Sequence, residues 1–139
     1  ALAEQEHFKI LSVVETRKND MDFAVLKVDG KPGLKYGVNK INADLVANGT
    51  IVTIIQHPSG NPKHVDIGTR NGTRGSVYMT YGDLDTEPGS SGSGIIDNNG
   101  FVVGVHTNGG CTTSSGSNAG VMMSEIIKHS PTIQELIKN

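Results

Sequence analysis

The sequence predicts an all-β domain that is built as an antiparallel barrel. Several short segments are rich in β-branched residues, and turn signals separate them at regular intervals. The 139 residues include 18 glycines but only three Phe, three Tyr and no Trp, a composition typical of a turn-rich β protein. A chain of this length forms one domain or part of one.

The N-terminal third predicts two strands and a long connection. Residues 8–16 (FKILSVVET) and 21–28 (MDFAVLKV) are the strand segments, and the polar residues between them predict a turn. Residues 31–48 predict the connection, which has only a weakly periodic patch around 41–46. The lead-in, residues 1–6, reads as short helix or disorder.

The remainder of the chain predicts six further strands and a terminal helix. The strand segments are 50–56, 65–67, 75–81, 94–97, 101–106 and 119–124. Residues 98–100 (NNG) predict a hairpin turn, and residues 109–118 a Gly/Ser loop. At the C-terminus, Ser130 is expected to be the N-cap of a helix over residues 129–139 and Pro131 its first helical residue. An apolar face is expected from Ile133, Leu136 and Ile137.

Charge and composition narrow the class of function. The formal net charge is −2, the sequence pI is about 6.2 and no lysine- or arginine-rich run is present, so no nucleic-acid partner is expected. No apolar stretch approaches 18 residues, so we expect no membrane-spanning segment. The N-terminus does not resemble a secretory signal, although one could already have been removed. A single cysteine, Cys111, excludes a disulfide within the chain and leaves the compartment open.

The stretch most informative about function is residues 85–94 (DTEPGSSGSG), which runs directly into the apolar pair Ile95-Ile96. Gly89 and Gly92 permit backbone conformations that are closed to other residues. The main-chain N–H groups of Gly89 and Ser91 can then point the same way and stabilise an oxyanion. The Ser91 hydroxyl would lie beside them as a nucleophile. The alternative is a flexible Gly/Ser linker.

Residues 89–94 (GSSGSG) resemble the nucleophile loop of trypsin-like (chymotrypsin-fold) serine proteases, in the Gly-x-Ser-Gly-Ser-Pro form found in the bacterial branch that includes the glutamyl endopeptidases. Gly94 departs from the usual proline. The resemblance implies a double β-barrel with a C-terminal α-helix. On this interpretation residues 1–47 are a remnant of the first barrel with the inter-barrel connection. Residues 48–128 form the second barrel and residues 129–139 the helix.

The resemblance also implies an aspartate and a histidine that act with the serine. Asp22 stands just before an apolar strand, as the catalytic aspartate of the family does. The histidine is missing: among the five histidines only His7 precedes Asp22, and its surroundings do not resemble the family's site. We therefore expect the catalytic histidine in a segment upstream of this chain, so that the chain alone is close to inactive. His57 is expected to serve loop structure; His64 and His129 look solvated.

Substrate-binding residues are implied by the same resemblance. Residues 104–110 (GVHTNGG) resemble the strand that pairs with an extended peptide, which places Thr107 and Gly109 beside the substrate backbone. His106 and Thr86 align with the pocket residues that bind an acidic P1 side chain in glutamyl endopeptidases. Asp85 aligns with the aspartate that selects basic P1 residues in trypsin. These signals conflict, and the choice stays open with a slight preference for basic P1.

Other chemistries find less support in the sequence. Trypsinogen-style activation is not expected, because Ser90 replaces the aspartate that pairs with a new N-terminus. No base is placed for Cys111 to act as a nucleophile, so a free thiol is expected. His57 and His64 have no partners at metal-ligand spacing, and residues 89–94 lack the lysine and helix of a phosphate loop. We therefore expect no metal and no cofactor.

The sequence thus predicts the C-terminal part of a serine endopeptidase that acts on protein or peptide substrates. A pseudoprotease that lacks the histidine and binds peptides or proteins on the same fold is the alternative. A third, weaker hypothesis is an interaction module that uses an exposed sheet edge.

Overall fold

The computed structural model describes residues 5–111 and 116–138. Three parts of the predicted elements lie outside these residues: residues 1–4 of the lead-in, residues 112–115 of the expected Gly/Ser loop, and residue 139 of the tail. Two sheets are present: a two-stranded antiparallel sheet of β1 (Ile10–Thr16) and β2 (Ala24–Val28), and a closed six-stranded barrel. The barrel strands follow the order β3-β4-β5-β8-β7-β6. They are β3 (Ile51–Gln56), β4 (His64–Arg74), β5 (Tyr78–Tyr81), β6 (Gly94–Asp97), β7 (Val102–Asn108) and β8 (Asn118–Met122).

Three short helices complete the described chain. Helix α1 (Pro32–Tyr36) lies in the connection between the two sheets and buries none of its residues. Helices α2 (Met123–His129) and α3 (Pro131–Ile137) follow the last barrel strand. A one-turn 3-10 segment, Pro58–Gly60, joins β3 to β4. None of the helices in the described part of the chain is long and apolar enough to cross a membrane.

The barrel core forms because the strands alternate between inward and outward residues. In β3, Val52, Ile54 and Gln56 are buried, whereas Ile51 and Ile55 face outward. The buried side chains of several strands meet in one cluster. Its members are Val52, Ile54, Met79, Tyr81, Leu84, Ile95, Val103 and Met122.

A second cluster joins the β1–β2 hairpin to the barrel. Met21 and Phe23, in and just after the hairpin turn, pack with Val121 of β8 and with Met123 and Ile126 of α2. These five side chains are at least nine-tenths buried. The hairpin is thereby held against the outside of the barrel where β8 passes into α2.

Several predicted elements are confirmed and two strands are corrected. The β6–β7 hairpin forms where the NNG turn predicts it, and the Asp97 carboxylate accepts the N–H groups of Asn99 and Phe101. Strand β4 is longer than predicted, because its polar second half pairs with β5 without apolar alternation. Residues 119–124 are not one strand: β8 ends at Met122, and α2 begins there without a side-chain cap that the sequence would reveal.

The C-terminal helix has the predicted cap but not the predicted apolar face. The Ser130 hydroxyl accepts the N–H of Ile133 at 3.0 Å, and Pro131 is the first helical residue. Ile133 packs on the second cluster. Leu136 and Ile137 are 62% and 48% exposed, so they do not extend that face into the core.

The buried Ser130 hydroxyl has two partners, because it also donates to the Glu15 carboxylate at 2.7 Å. Substituting Ser130→Ala removes both hydrogen bonds, so we expect the free energy of unfolding to fall by about 1–2 kcal/mol. Urea unfolding measures this difference. Ser124→Ala, a serine-to-alanine change inside α2, is the control and should leave the midpoint almost unchanged. Equal midpoints for the two variants would contradict the role of Ser130.

Candidate active site

The turn at residues 87–92 has the backbone shape that a nucleophile loop requires. Gly89 and Gly92 have φ angles of +99° and +88°, which favour glycine. Ser90 is fully buried inside the turn; its N–H donates to the Glu87 carbonyl at 3.0 Å, and its hydroxyl accepts the Glu87 N–H at 3.3 Å. The turn is therefore closed by its own hydrogen bonds, and Ser91 is left exposed at its outer side.

Two backbone hydrogen bonds tie this turn to β7. The Gly92 N–H donates to the His106 carbonyl at 2.8 Å, and the His106 N–H donates to the Ser93 carbonyl at 2.9 Å. The Ser91 hydroxyl lies 3.4 Å from the carbonyl oxygen of Thr107, to which it donates. The serine is therefore held beside the strand that the sequence predicts to bind substrate.

The two amides of the predicted oxyanion hole are available to a ligand. Within residues 5–111 and 116–138, the N–H groups of Gly89 and Ser91 donate to no backbone carbonyl, whereas the N–H of Ser90 between them is used. Free N–H groups on either side of a closed turn can donate to an oxyanion that develops beside Ser91.

The loop after β3 supports the turn from behind. The Ser59 N–H donates to the Pro88 carbonyl at 2.7 Å, and the Ser59 hydroxyl donates to the Glu87 carboxylate at 2.8 Å. A Cβ atom on Gly89 would lie 3.1 Å from the carbonyl oxygen of His57. His57 thus contributes to loop structure through its main chain, and its ring nitrogen Nδ1 contacts the Asn61 carbonyl at 3.2 Å.

Asp22 lies in the turn of the β1–β2 hairpin in a left-handed conformation, with φ of +54°. Its N–H donates to the Arg17 carbonyl at 2.6 Å, and its carboxylate is exposed. The neighbours on both sides, Met21 and Phe23, are buried in the second cluster. This unusual backbone conformation is therefore fixed by packing on either side of it.

Polar contacts tie the same hairpin to the junction of α2 and α3. The Glu15 carboxylate accepts the Ser130 hydroxyl and, at 3.4 Å, the Thr132 N–H. The hydrogen bond from Ser130 holds the pKa of the Glu15 carboxyl below its usual range. The Arg17 guanidinium donates to the His129 carbonyl at 3.2 Å. The hairpin that carries Asp22 is therefore held by polar as well as apolar contacts.

Asp22 and Ser91 line the same cleft between the hairpin and the barrel. The cleft has a volume of about 600 Å³, and Thr107 also lines it. Most of its remaining lining is apolar, from both the hairpin and the barrel side; these residues include Phe23, Val25, Leu26, Val105, Met123, Ile126 and Ile133. The structure thus brings together the predicted nucleophile, the predicted aspartate and two predicted substrate-binding residues, His106 and Thr107.

The Ser91 hydroxyl has no histidine as a hydrogen-bond partner in the described part of the chain. His106 is the one histidine that lines the cleft, but it is buried and its Nδ1 lies 2.5 Å from the Tyr81 hydroxyl. Burial lowers the pKa of His106 and raises that of Tyr81. His7, His64 and His129 are exposed.

The structure does not bring Asp85 and Thr86 into the cleft that holds Ser91. Both line a separate depression of about 380 Å³, together with Gln56, His64 and Asp66. The Asp85 carboxylate is exposed, and the buried Oγ1 atom of Thr86 has no partner among the described residues. Gly109 is exposed just beyond the end of β7.

Two buried polar residues near the site were not predicted from the sequence. Tyr81 is the partner of His106, and Asn118 binds main-chain groups of two loops. The sequence NAG around Asn118 carries no signal that distinguishes it from an exposed loop. Among the described residues no group of three His, Cys, Asp or Glu side chains is arranged to hold a metal ion.

Comparison with known proteins extends these observations. The family model of the trypsin-like peptidase domain matches residues 4–105. Secreted RxLR effector protein 73 of Plasmopara viticola is 28% identical over 105 residues, covering 68% of this chain and 26% of that protein. The chain therefore spans about a quarter of this curated relative.

Two solved structures share the fold. The inactive form of Rv3671c from M. tuberculosis H37Rv has a TM-score of 0.68 and 20% identity, covering 92% of this chain and 66% of that one. Glu endopeptidase in complex with MPD has a TM-score of 0.64 and 26% identity, covering 84% of this chain and 53% of that one. With the closed barrel and the partial second sheet, these likenesses confirm the chymotrypsin-like fold.

The buried His106 makes stability depend on pH in a defined direction. Its pKa is lower in the folded than in the unfolded chain, so the unfolded state binds a proton that the folded state does not. We expect the free energy of unfolding to decrease as the pH falls below about 6.5, the ordinary histidine pKa.

His106→Gln cannot titrate but retains an amide that can bond with Tyr81. Its free energy of unfolding should change less between pH 7 and pH 5 than that of the wild type, as measured by urea titration at each pH. His129→Gln, at an exposed histidine, should keep the wild-type dependence. A wild-type slope in His106→Gln would contradict the assignment.

Proposed function

Because the chain belongs to the trypsin-like peptidase domain family, we propose that it is the C-terminal part of a serine endopeptidase that forms an acyl-enzyme on Ser91. One observation carries the proposal: Ser91 lies next to two free main-chain N–H groups and shares a cleft with Asp22. A nucleophile, oxyanion donors and an orienting carboxylate are three of the four parts that acyl transfer needs.

In the proposed reaction the Ser91 oxygen attacks the carbonyl carbon of the scissile peptide bond. A histidine takes the hydroxyl proton, and the N–H groups of Gly89 and Ser91 donate to the oxyanion of the tetrahedral intermediate. The histidine returns the proton to the leaving amine as the C–N bond breaks. Water then attacks the ester in the same way and releases the acid. Asp22 would orient the imidazole and stabilise its charged form.

We place this histidine in a companion N-terminal segment of the same protein. None of the five histidines of this chain is hydrogen-bonded to Ser91. The mainly apolar cleft between Asp22 and Ser91 offers room for an imidazole and for side chains that pack around it.

Exposed apolar side chains on the hairpin support the companion segment. Strand β1 exposes aliphatic residues on both of its faces, each by half or more: Ile10, Leu11, Val13 and Val14. In β2, Leu26 is 45% exposed. A segment that packs on these strands would bury this surface and carry the base into the cleft. Without it, only the residual rate from the oxyanion hole and substrate binding is expected.

The proposed substrate is an extended polypeptide that pairs with the main chain of Thr107 and Gly109. Its scissile carbonyl would lie beside Ser91, which already contacts Thr107. The P1 preference is tested by comparing the hydrolysis of matched peptide substrates that have Arg or Glu at that position. Although Asp85 and Thr86 line a depression separate from the Ser91 cleft, basic preference would indicate Asp85, and acidic preference would indicate His106 with Thr86.

A fluorophosphonate probe tests the mechanism. In the full-length or co-purified protein, intact mass should reveal the companion segment and one probe adduct on Ser91. Ser91→Ala should abolish labelling, whereas Ser93→Ala, in the same loop, should leave it. Failure of Ser91 to label in the presence of the companion segment would overturn the proposal.

Asp22→Asn tests the orienting carboxylate. An amide in place of the carboxylate favours the wrong tautomer of the histidine, so we expect kcat to fall by about 10⁴-fold with little change in KM. Peptide hydrolysis by the complemented protein measures the change. Asp20→Asn, in the same turn, is the control because that carboxylate is paired with Arg17. Equal rates for the two variants would exclude Asp22 from catalysis.

The Ser91 hydroxyl has no base as a hydrogen-bond partner among the described residues, which also favours the second candidate, a pseudoprotease that binds peptides or proteins. This candidate predicts that the natural protein has no companion histidine, that Ser91 resists the probe, and that Ser91→Ala binds peptides as the wild type does. Peptide binding measured by isothermal titration, alongside the labelling experiment, separates the two functions.

A further inference from the structure

We propose that Asn118 is a positioning residue that holds the two walls of the peptide-binding groove together. The first wall is residues 84–89, which lead into the oxyanion turn, and the second is residues 107–111, which continue β7. The inference rests on the proposed endopeptidase function, because it assigns a role to two segments that are predicted to bind substrate, although Asp85 and Thr86 of the first wall line a depression separate from the Ser91 cleft.

The Asn118 side chain bonds to both walls. Its Nδ2 donates to the carbonyl of Leu84 at 2.7 Å, and its Oδ1 accepts the N–H groups of Gly110 at 3.0 Å and Cys111 at 3.1 Å. The orientation of the amide follows from these partners, since a carbonyl faces its nitrogen and two N–H groups face its oxygen.

Burial makes these bonds strong determinants of structure. Asn118 is only 1% exposed, so the main-chain groups that it binds would be left without a protein partner if the amide were removed. It is the first residue of β8 and lies opposite Tyr81 of β5 in the barrel register. The strand pairing of β8 therefore fixes the position of Asn118 in the barrel, and the hydrogen bonds of its side-chain amide hold the two walls.

Two of these three bonded groups stand next to a predicted substrate-binding residue. Leu84, a fully buried core residue, directly precedes Asp85. Gly110 directly follows Gly109, and a Cβ on Gly110 would lie 2.7 Å from the Ser117 carbonyl oxygen. The second wall therefore runs close against the start of β8. A shift of either wall would change how a peptide is bound without touching Ser91.

The single cysteine of the chain reports on the second wall. The Cys111 N–H is held by Asn118, and its thiol donates to the Gly82 carbonyl at 2.8 Å. The residue is partly exposed. Release of its main chain would weaken the thiol contact and expose the sulfur, which makes alkylation faster.

Two substitutions separate the walls. Asn118→Ala removes all three hydrogen bonds. Asn118→Asp keeps an oxygen for the Gly110 and Cys111 N–H groups but replaces the donor to Leu84 with a second acceptor. Ser130→Ala is the matched control, because it also removes hydrogen bonds of a fully buried side chain but lies at the junction of α2 and α3.

The first measurement is the rate of Cys111 alkylation by iodoacetamide in the isolated chain. For Asn118→Ala we expect an increase of about tenfold over Ser130→Ala, as the loss of a buried hydrogen bond would give. Asn118→Asp should stay near the wild-type rate. Equal rates for Asn118→Ala and Ser130→Ala would overturn the proposal. If Asn118→Ala does not fold, the proposal is tested by the KM of Asn118→Asp in the peptide hydrolysis assay described next.

The second measurement is peptide hydrolysis by the complemented protein. Both Asn118 variants should raise KM by about tenfold with kcat nearly unchanged, because the groove and not the reacting atoms is altered. An unchanged KM, or an equal fall in kcat, would overturn the positioning role. If the wild type itself does not hydrolyse peptides, the proposed function fails, while the alkylation rates still decide whether Asn118 holds the wall.

Discussion

The burial of Met21 and Phe23 against the end of β8 and the start of α2 is the contact on which the candidate site depends. Asp22 lies between these two residues, and within the described residues the hairpin that carries it shares no strand pairing with the barrel that carries Ser91. Packing, with the polar contacts of Glu15 and Arg17 to the α2–α3 junction, is what places the two residues on one cleft. The C-terminal helices thus belong to the site, although neither of them supplies a predicted catalytic residue.

The barrel side of the site is organised differently, through main-chain hydrogen bonds. The turn that ends at Ser91 is bonded to β7 in front and to the loop at Ser59 behind, and the fully buried Ser90 closes it from inside. These bonds use the amides of Ser90 and Gly92 and leave those of Gly89 and Ser91 unused by the backbone. Along the turn, bonded and unbonded N–H groups therefore alternate. This alternation follows from the positive φ angles of Gly89 and Gly92, so the conformation of the turn leaves these donors free.

How much of the fold and the candidate site can be predicted from the sequence depends on how far apart the interacting residues lie along the chain. Ser91 and its glycines form one local motif, and the cap at Ser130 and the NNG turn are local as well, so each was predictable. The start of α2 has no capping side chain, and the second half of β4 is polar, so only tertiary pairing defines them. Tyr81 acquires its role from His106, 25 residues away, and Asn118 joins Gly110 and Cys111 to Leu84, which is 34 residues away in sequence. The separation of Asp85 and Thr86 from the Ser91 cleft was hidden for the same reason.

The cleft also explains how the proposed site residues of this chain can be stable without the proposed companion segment. Ser91 satisfies its hydroxyl with the Thr107 carbonyl at 3.4 Å, a long and therefore weak hydrogen bond that an incoming base can replace at little cost. Gly89, Ser91 and Asp22 are exposed, so water can solvate their polar groups and the fold needs no imidazole to persist. The apolar side chains that line the cleft, in contrast, stay exposed to water, which is unfavourable. Burial of that lining, more than the chemistry of the polar groups, would therefore drive the proposed association with a companion segment.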